Sequence, residues 1–265
     1  MKSFMNLGKF EEAKLGILPV PYEKTSSYKK GTKNAPKEIL KASLELETFD
    51  LEFKEEPYKI GITTLDPVKS LELLEKTRKD IFVLALGGEH TISLPLIKRL
   101  DQKNLSILHI DAHADLKDEF EGNKLSHACV MRRVFEFNKN ITQVGVRSLD
   151  KEEFEFIKQN KINCFFKFDI NKIIKSLKEN VYITIDLDGF DPAVFPEVGT
   201  PEPDGLGWMQ VKELLRTVFK KKNVVGCDIV ELCPKKGSEL SNYNAAKLVY
   251  KIVGYYSESK KDLNM

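Results

Sequence analysis

The feature of the sequence that most constrains its fold is the regular return of short apolar runs. Seven such runs are rich in Ile, Val and Leu, and an amphipathic segment separates most neighbours. Most runs are apolar on both faces, which is typical of strands buried in a parallel sheet. They cover residues 14–20, 81–86, 105–110, 141–146, 162–168, 181–185 and 224–232.

The segments between the runs carry helical signals. Asn34-Ala35-Pro36 opens one helix with a capping residue and an early proline. Alternation of strand and helix predicts right-handed crossovers and helices on both faces of one sheet, an α/β fold. No repeat or linker divides the chain, so we predict one catalytic domain over residues 1–265. Further helices are predicted over residues 70–79, 92–100, 127–138, 151–159, 170–178, 209–221 and 243–256.

Composition narrows the classes of function. The 265 residues are 42% hydrophobic, which is enough for a large core, and 42 Lys and Arg face 40 Asp and Glu. The basic residues are scattered among acidic ones, which argues against a nucleic-acid partner. There is no 18-residue apolar run and no signal-peptide core, and the four cysteines form no CxxC pair. We therefore expect a cytoplasmic protein with reduced thiols and no membrane contact.

Acidic and histidine side chains follow several runs at the point where each run ends. In an open α/β sheet, ligands bind beyond the carboxyl ends of the strands, so these side chains are expected to meet. Run 224–232 carries Glu231 near its end. The other groups are Gly87-Gly88-Glu89-His90, Asp111-Ala112-His113-Ala114-Asp115 and Asp186-Leu187-Asp188.

The spacing within these groups favours a metal site. Asp111, His113 and Asp115 alternate with period two and can project the same way, as can Asp186 and Asp188. With His90 they make two imidazoles and four carboxylates, which need neutralising cations to lie close together. Two divalent ions would nearly balance them and would share a nucleophilic hydroxide.

Ligand chemistry points to the metal and separates one histidine from the rest. Carboxylate oxygens with a minority of imidazole, and no well-placed thiolate, favour Mn²⁺ over a thiolate-rich zinc site. Any one of these short motifs is weak evidence, but three at three strand ends are not easily coincidental. His109 lies out of phase with His113 inside an apolar run, so we interpret it as a supporting residue rather than a ligand.

Three of these motifs resemble those of the ureohydrolase family of arginases and agmatinases. They are Gly87-Gly88-Glu89-His90-Thr91, Asp111-Ala112-His113-Ala114-Asp115, and the long block from Thr184 through Pro203. The likeness extends from Gly16 to Glu231, and residues 128–133 resemble the agmatinase-like branch. It implies a three-layer α/β/α sandwich around a mostly parallel eight-stranded sheet. It also implies a binuclear manganese hydrolase, with two Mn²⁺ per subunit, that splits a guanidinium group into urea and an amine.

The resemblance also implies roles for particular residues. His127 falls on the position of the proton-shuttling histidine, and Glu231 on the carboxylate that grips the guanidinium. Asp115 or His127 is the candidate acid that protonates the departing amine. Family members form trimers or hexamers, so a homo-oligomer is expected. The chain departs from the family at Thr91, Glu197 and Asp204 without losing a ligand. The six metal-ligand positions are occupied by His90, Asp111, His113, Asp115, Asp186 and Asp188.

The choice of substrate depends on the loop between Asp115 and His127. Arginases use Asn, Ser and Thr there to hold the carboxylate of the amino acid, and this polar cluster is absent. Asp118, Glu119 and Glu121 instead suit a polycation. We therefore expect agmatine or an aminopropylagmatine as the substrate and a polyamine, putrescine or spermidine, as the product.

Other functions remain open from the sequence. An arginase acting on L-arginine is the nearest alternative. A dinuclear phosphoesterase also uses strand-end Asp and His, although no phosphate-cradling glycine-rich loop is present. A non-catalytic member that binds partners is a third possibility, but such proteins commonly lose ligands. A related deacetylase needs only a one-zinc set, which these six residues exceed.

Overall fold

A single eight-stranded sheet forms the centre of the structure, a computed structural model that describes residues 2–8 and 12–261. All neighbouring strands pair in parallel, in the order β2-β1-β3-β8-β7-β4-β5-β6. The strands are β1 (Leu15–Val20), β2 (Ile62–Thr64), β3 (Phe82–Gly87), β4 (Leu105–Ile110), β5 (Ile141–Val144), β6 (Asn163–Phe165), β7 (Asn180–Asp186) and β8 (Asn223–Val230).

Helices cover both faces of this sheet. Two hydrophobic clusters, one against each face, are built from different helices: α1, α6, α7 and α8 on one side and α2 to α5 on the other. This is the predicted three-layer α/β/α sandwich. The helices are α1 (Ala35–Ala42), α2 (Leu71–Glu75), α3 (Ser93–Lys98), α4 (Val130–Phe137), α5 (Lys151–Asn160), α6 (Ile170–Ser176), α7 (Trp208–Lys221) and α8 (Leu240–Lys261).

The strand order determines where the polar strand ends meet. After β3 the chain crosses to β4, builds outward to β6, and then returns to place β7 and β8 between β4 and β3. The central four strands are therefore β3, β8, β7 and β4. These are the strands that the acidic and histidine groups follow, so the topology brings the four groups to one edge of the sheet.

The sequence predicted most of these elements, with three main differences. All seven predicted strands form, but the short β2 was missed because Ile62, Thr63 and Thr64 give too brief a signal at the sheet margin. The helix predicted over residues 70–79 is only Leu71–Glu75. The sheet is wholly rather than mostly parallel. None of the helices in the described ranges combines the length and apolar character that crossing a bilayer requires.

Candidate metal centre

Three of the predicted carboxylate ligands surround one ring nitrogen of a fourth predicted ligand, His90. His90 follows β3, and its Nδ1 lies 3.2 Å from Asp111 Oδ2, 3.0 Å from Asp115 Oδ2 and 3.5 Å from Asp186 Oδ2. His90 and Asp111 are each about 1% exposed, so the group is almost sealed from solvent. Three carboxylate oxygens therefore face one imidazole nitrogen in a buried space.

A second group lies beside the first and shares one carboxylate with it. His113 Nδ1 is 3.1 Å from Asp188 Oδ2 and 3.5 Å from Asp111 Oδ1. Asp111 thus turns one oxygen toward His90 and the other toward His113. A carboxylate placed in this way is suited to bridging two cations. We call the six residues His90, Asp111, His113, Asp115, Asp186 and Asp188 the metal cluster.

Hydrogen bonds from outside the metal cluster orient His90. His90 Nε2 is 2.9 Å from Thr184 Oγ1, and the Thr184 hydroxyl donates to Asp228 Oδ1 at 2.6 Å. Tyr182 donates to the other oxygen of Asp228 at 2.7 Å. Because the Thr184 hydroxyl proton goes to Asp228, the oxygen accepts from His90 Nε2, which leaves Nδ1 without a proton in the neutral ring.

His109 supports the cluster rather than joining it. Its Nε2 is 2.8 Å from Asp111 Oδ2, and its Nδ1 is 3.0 Å from Gln143 Nε2. Gln143 also donates to the Ala114 carbonyl, so its amide group is the donor in both contacts. Both ring nitrogens of His109 therefore have protein partners, and the ring holds the shared carboxylate in place.

The electrostatics of the metal cluster are those of a cation site. Burial would lower the pKa of His113, yet Asp111 and Asp188 raise it to about 11. Burial and the charges of Asp188 and Asp111 raise the pKa of Asp186 well above its ordinary value. The raised pKa values mean that these side chains tend to bind protons, because no cationic side chain in the described part of the chain neutralises the carboxylates of the cluster. The groups fit divalent ions, which would perform the same neutralisation without altering the side-chain arrangement.

One orphaned atom supports this fit independently. His90 Nδ1 is fully buried and has no hydrogen-bond partner within the described residues, although carboxylate oxygens lie 3.0–3.5 Å away. A buried polar atom without a partner is costly and needs an explanation. A lone pair that faces carboxylate oxygens is repelled by them unless a cation lies between, so the donor set fits a metal ion.

A cavity of about 310 Å³ opens onto the metal cluster. Glu231, which follows β8, and His127, at the start of the 3-10 helix before α4, both line it. Glu231 is 8% exposed and accepts the backbone N–H of His90 at 2.7 Å. Burial raises the pKa of Glu231 to about 8, against the lowering effect of that N–H.

The backbone is strained at two of the cavity residues. Asp115 has φ 52° and Glu231 has φ 63°, the left-handed region that non-glycine residues rarely occupy. Nearby, a Cβ on Gly88 would lie 2.0 Å from the Tyr22 carbonyl oxygen, so only glycine allows the chain after β1 to pass over the end of β3. The surrounding structure therefore imposes these conformations at the site.

The structure corrects the sequence interpretation of the acidic loop. Asp118 is paired with Arg133 at 2.7 Å and with Lys124 at 3.3 Å, and neither Glu119 nor Glu121 lines the cavity. The acids that line it beyond the metal cluster include Asp150 and Glu153, which flank the start of α5. The loop itself does reach the cavity, through Lys117 and Phe120, but its acids do not, and the cavity wall is completed by segments that are distant in the chain.

Several supporting residues could not be inferred from the motifs alone. Arg147 donates to backbone carbonyls of Asp188, Phe190 and Glu202, which fixes the loop after β7. Thr200 in that loop donates to Asp188 Oδ2 at 3.0 Å. Other supporting residues, such as Thr184 and Asp228, could have been found from the sequence because a polar residue within an apolar strand needs a buried partner.

Sequence and structure comparisons agree with this geometry. The arginase family model matches residues 13–254. The N(1)-aminopropylagmatine ureohydrolase of Synechocystis sp. is 36% identical, over 95% of this chain and 92% of that protein. The agmatinase of Pyrococcus horikoshii is 34% identical, over 90% of each chain. The crystal structure of agmatine ureohydrolase of Thermoplasma volcanium superposes with a TM-score of 0.88 at 30% identity, covering 100% of this chain and 97% of that one.

An all-parallel α/β/α sandwich with a buried Asp/His cluster at the carboxyl edge of its central strands defines a class of metal-dependent enzyme. Within that class, the chain belongs to the arginase family. The resemblance drawn from the sequence motifs is thereby confirmed.

Proposed function

We propose that this protein is an agmatinase-type amidinohydrolase. It hydrolyses the guanidinium group of agmatine, or of an aminopropylagmatine, to urea and the corresponding polyamine. The observation that carries the proposal is the convergence of six ligand side chains beneath a cavity that Glu231 and His127 also line. The names of relatives at 34–36% identity support the same reaction.

We propose two Mn²⁺ ions per subunit in the metal cluster. His90, Asp115 and Asp186 would hold one ion and His113 and Asp188 the other, with Asp111 shared between them. Oxygen donors with two imidazoles suit Mn²⁺. Two divalent ions, when bound, make water a strong nucleophile at neutral pH.

Glu231 is placed to orient the guanidinium group of the substrate. A guanidinium carbon is a poor electrophile because its charge is delocalised, so the group must be held in an attack geometry. The Glu231 carboxylate is anchored by the His90 N–H and can accept paired N–H bonds from a planar guanidinium. Burial strengthens such a contact because water does not compete for it.

The reaction also needs a proton at the departing nitrogen. The hydroxyl of water adds to the guanidinium carbon, the bond from carbon to the alkylamine nitrogen breaks, and one proton from water ends on that nitrogen. The hydroxyl proton is released as the carbonyl of urea forms and is taken up by the amine, which departs as an ammonium ion. An amide ion cannot leave, so an acid must deliver the proton. His127 and Asp115, which both line the cavity, are assigned this transfer.

The start of α5 offers acids for a cationic far end of the substrate. Asp150 and Glu153 bring two negative charges there, and Lys117, which contacts both, brings one positive charge. Lys29 also lines the cavity, so these four side chains carry no net charge, and the proposal depends on the local position of the two acids. Agmatine ends in an amine, whereas arginine also carries a carboxylate, so acids at this position support the preference for agmatine.

We further propose that the whole chain, residues 1–265, is one catalytic domain that works in the cytoplasm as a homo-oligomer, a trimer or hexamer. The continuous eight-stranded sheet supports a single domain, and the four free cysteines support a reducing compartment, whereas the oligomer is proposed from the family resemblance alone. Its partners are a small guanidinium substrate and further copies of itself, without nucleic acid or membrane. Light scattering of the purified protein tests the oligomer: a monomer would contradict it.

Urea release from three substrates tests the reaction. The Mn²⁺-loaded protein is expected to release urea from agmatine or an aminopropylagmatine with a kcat/KM at least about tenfold above that for arginine, a difference of roughly 1.4 kcal/mol. A phosphate diester serves as the control substrate. Hydrolysis of the diester without any urea release would contradict the proposal in favour of a phosphoesterase.

A further inference from the structure

A buried carboxylate outside the metal cluster is bonded to a loop that reaches the proton-transfer residue. Glu89, between β3 and His90, is 0% exposed. Its Oε2 accepts the backbone N–H groups of Lys24 and Thr25, and its Oε1 accepts the hydroxyls of Thr25 at 2.9 Å and Thr91 at 2.6 Å. Four donors fill the four acceptor positions of one carboxylate.

Thr25 links Glu89 to His127 through hydrogen bonds. The Thr25 Oγ1 accepts the backbone N–H of His127 at 3.0 Å and lies 3.3 Å from the His127 Nδ1. A hydroxyl has one proton and two lone pairs. Since its proton goes to Glu89, the oxygen can only accept from His127, and Nδ1 must be the donor.

We infer that Glu89 and Thr25 form a relay that fixes neutral His127 with its proton on Nδ1, which makes both of them positioning residues for proton transfer. The inference rests on the proposed role of His127. With Nδ1 protonated, Nε2 carries the lone pair, and no described residue hydrogen-bonds to it. His127 lines the cavity, so Nε2 is the nitrogen left to exchange a proton there.

Two further residues contact the imidazole ring of His127. Phe120 packs edge-on against His127, with ring centroids 5.7 Å apart and planes at 82°, which restricts rotation of the imidazole. Ser126 Oγ also lies 3.3 Å from Nδ1. The Ser126 hydroxyl donates or accepts according to its rotation, whereas the Thr25 hydroxyl is committed to a carboxylate, so Thr25 decides the tautomer.

Loss of the relay should reduce turnover rather than substrate binding. A neutral imidazole without Thr25 distributes its proton over both nitrogens, and the molecules with Nε2–H cannot accept a proton from the cavity. The kcat scales with the fraction of molecules that hold the competent tautomer, so a comparable population of the two tautomers should lower kcat by about two- to fivefold. The KM should change little, because Thr25 does not line the cavity.

The tautomer can be read without measuring activity. The chain has only four histidines, so ¹⁵N-histidine labelling of the full-length protein, loaded with diamagnetic Mg²⁺, gives few signals. A His127→Asn variant assigns the His127 resonances. For the neutral ring of His127, we expect a protonated Nδ1 and an unprotonated Nε2. An Nε2–H tautomer in the unaltered protein would overturn the inference.

Variants separate the relay from a structural role. Thr25→Val removes the hydroxyl with little change in shape and should move His127 toward a mixture of tautomers and lower kcat. Thr25→Ser keeps a hydroxyl at this position and should retain both the Nδ1–H tautomer and the kcat of the unaltered protein. Ser126→Ala should leave the Nδ1–H tautomer in place. Thr142→Val, which removes a buried hydroxyl bonded to Ser176 elsewhere, controls for stability and should change neither reading.

The outcomes distinguish this inference from the proposed function. An Nδ1–H tautomer that depends on Thr25, together with no urea release from any guanidinium substrate, would leave the relay standing and overturn the proposed function. Urea release with a tautomer that Thr25→Val does not alter would overturn the relay alone. Equal loss of kcat in Thr25→Val and Thr25→Ser would also contradict the relay, because only a packing role treats these two alike.

Discussion

Two clusters of charged side chains in this protein, one buried and one partly buried, differ in how their charges are balanced. The metal cluster gathers four carboxylates and two histidines at the carboxyl edge of the sheet. A second group, which we call the lysine cluster, consists of Asp50, Glu52, Lys212, Lys247 and Lys251. There, Lys251 donates to Asp50 at 2.7 Å and to Glu52 at 2.9 Å, and Lys212 and Lys247 lie within 4 Å of the same acids.

The pKa values of two acids in the lysine cluster and of two in the metal cluster shift in opposite directions. Burial would raise the pKa of Asp50, but the hydrogen bond and charge of Lys251 lower it below the ordinary value, and the same holds for Glu52. In the metal cluster, burial and like charges raise the pKa of Asp186 and Asp188 instead. A cluster that neutralises itself stabilises the fold, whereas one left negative is suited to holding cations.

The largest effect should follow from a change within the metal cluster. Asp188→Asn keeps the shape but removes a charge and a ligand oxygen, so one of the two ions should be lost. Because bound metal stabilises the transition state by several kcal/mol, we expect turnover to fall by about 1,000-fold or more. Metal analysis and urea release check this. Full turnover with unchanged metal content would show that the binuclear assignment is wrong, and Asp66→Asn on the surface is the matched control.

The next largest effect should be on stability and not on activity. Lys251→Met removes the shared partner of buried Asp50 and partly exposed Glu52, but Lys247 and Lys212 stay within 4 Å of these acids. We therefore expect a loss of about 1–3 kcal/mol in the free energy of unfolding. Urea denaturation measures this, and exposed Lys175→Met serves as the control. The kcat/KM should remain that of the unaltered protein. A large loss of activity in the folded variant would mean that the two clusters are not independent.

A smaller effect should come from a residue that supports the metal cluster from outside. Thr184→Val deprives His90 Nε2–H of its acceptor, and loss of such a partner typically costs about 10- to 100-fold in metal affinity or activity. Metal titration followed by calorimetry measures the affinity. Thr142→Val again serves as the control. An unchanged affinity would show that the Thr184 hydroxyl does not orient His90.

The smallest effect concerns pH and the lysine cluster. Because the pKa values of Asp50 and Glu52 are lowered by folding, their contribution to stability is complete above their unfolded values, near 4. It is lost as the pH falls through the lower folded values. The stability difference between the unaltered protein and Lys251→Met should therefore shrink below about pH 4. A difference that stays constant from pH 7 to pH 3 would contradict this origin.

The two clusters also differ in how far the sequence predicts them. Ligands such as Asp111 and His113 are recognisable because they lie two residues apart at the end of an apolar run, and the strand order then brings the runs together. Lys251 and Asp50 are 201 positions apart and carry no local signal. For the same reason, the sequence did not predict the hydrogen bond between Glu89 and Thr25, which are 64 positions apart. Local periodicity determines a strand and its end, whereas partners across the fold depend on packing.

The central claim is that the metal cluster holds two ions and that the occupied site hydrolyses a guanidinium group. Urea release from agmatine and an aminopropylagmatine, measured against the number of Mn²⁺ ions bound per chain, tests it most directly. We predict that release with the preferred substrate rises to a plateau at two ions per chain. A plateau reached at one ion, or no urea from either substrate with two ions bound, would contradict the account.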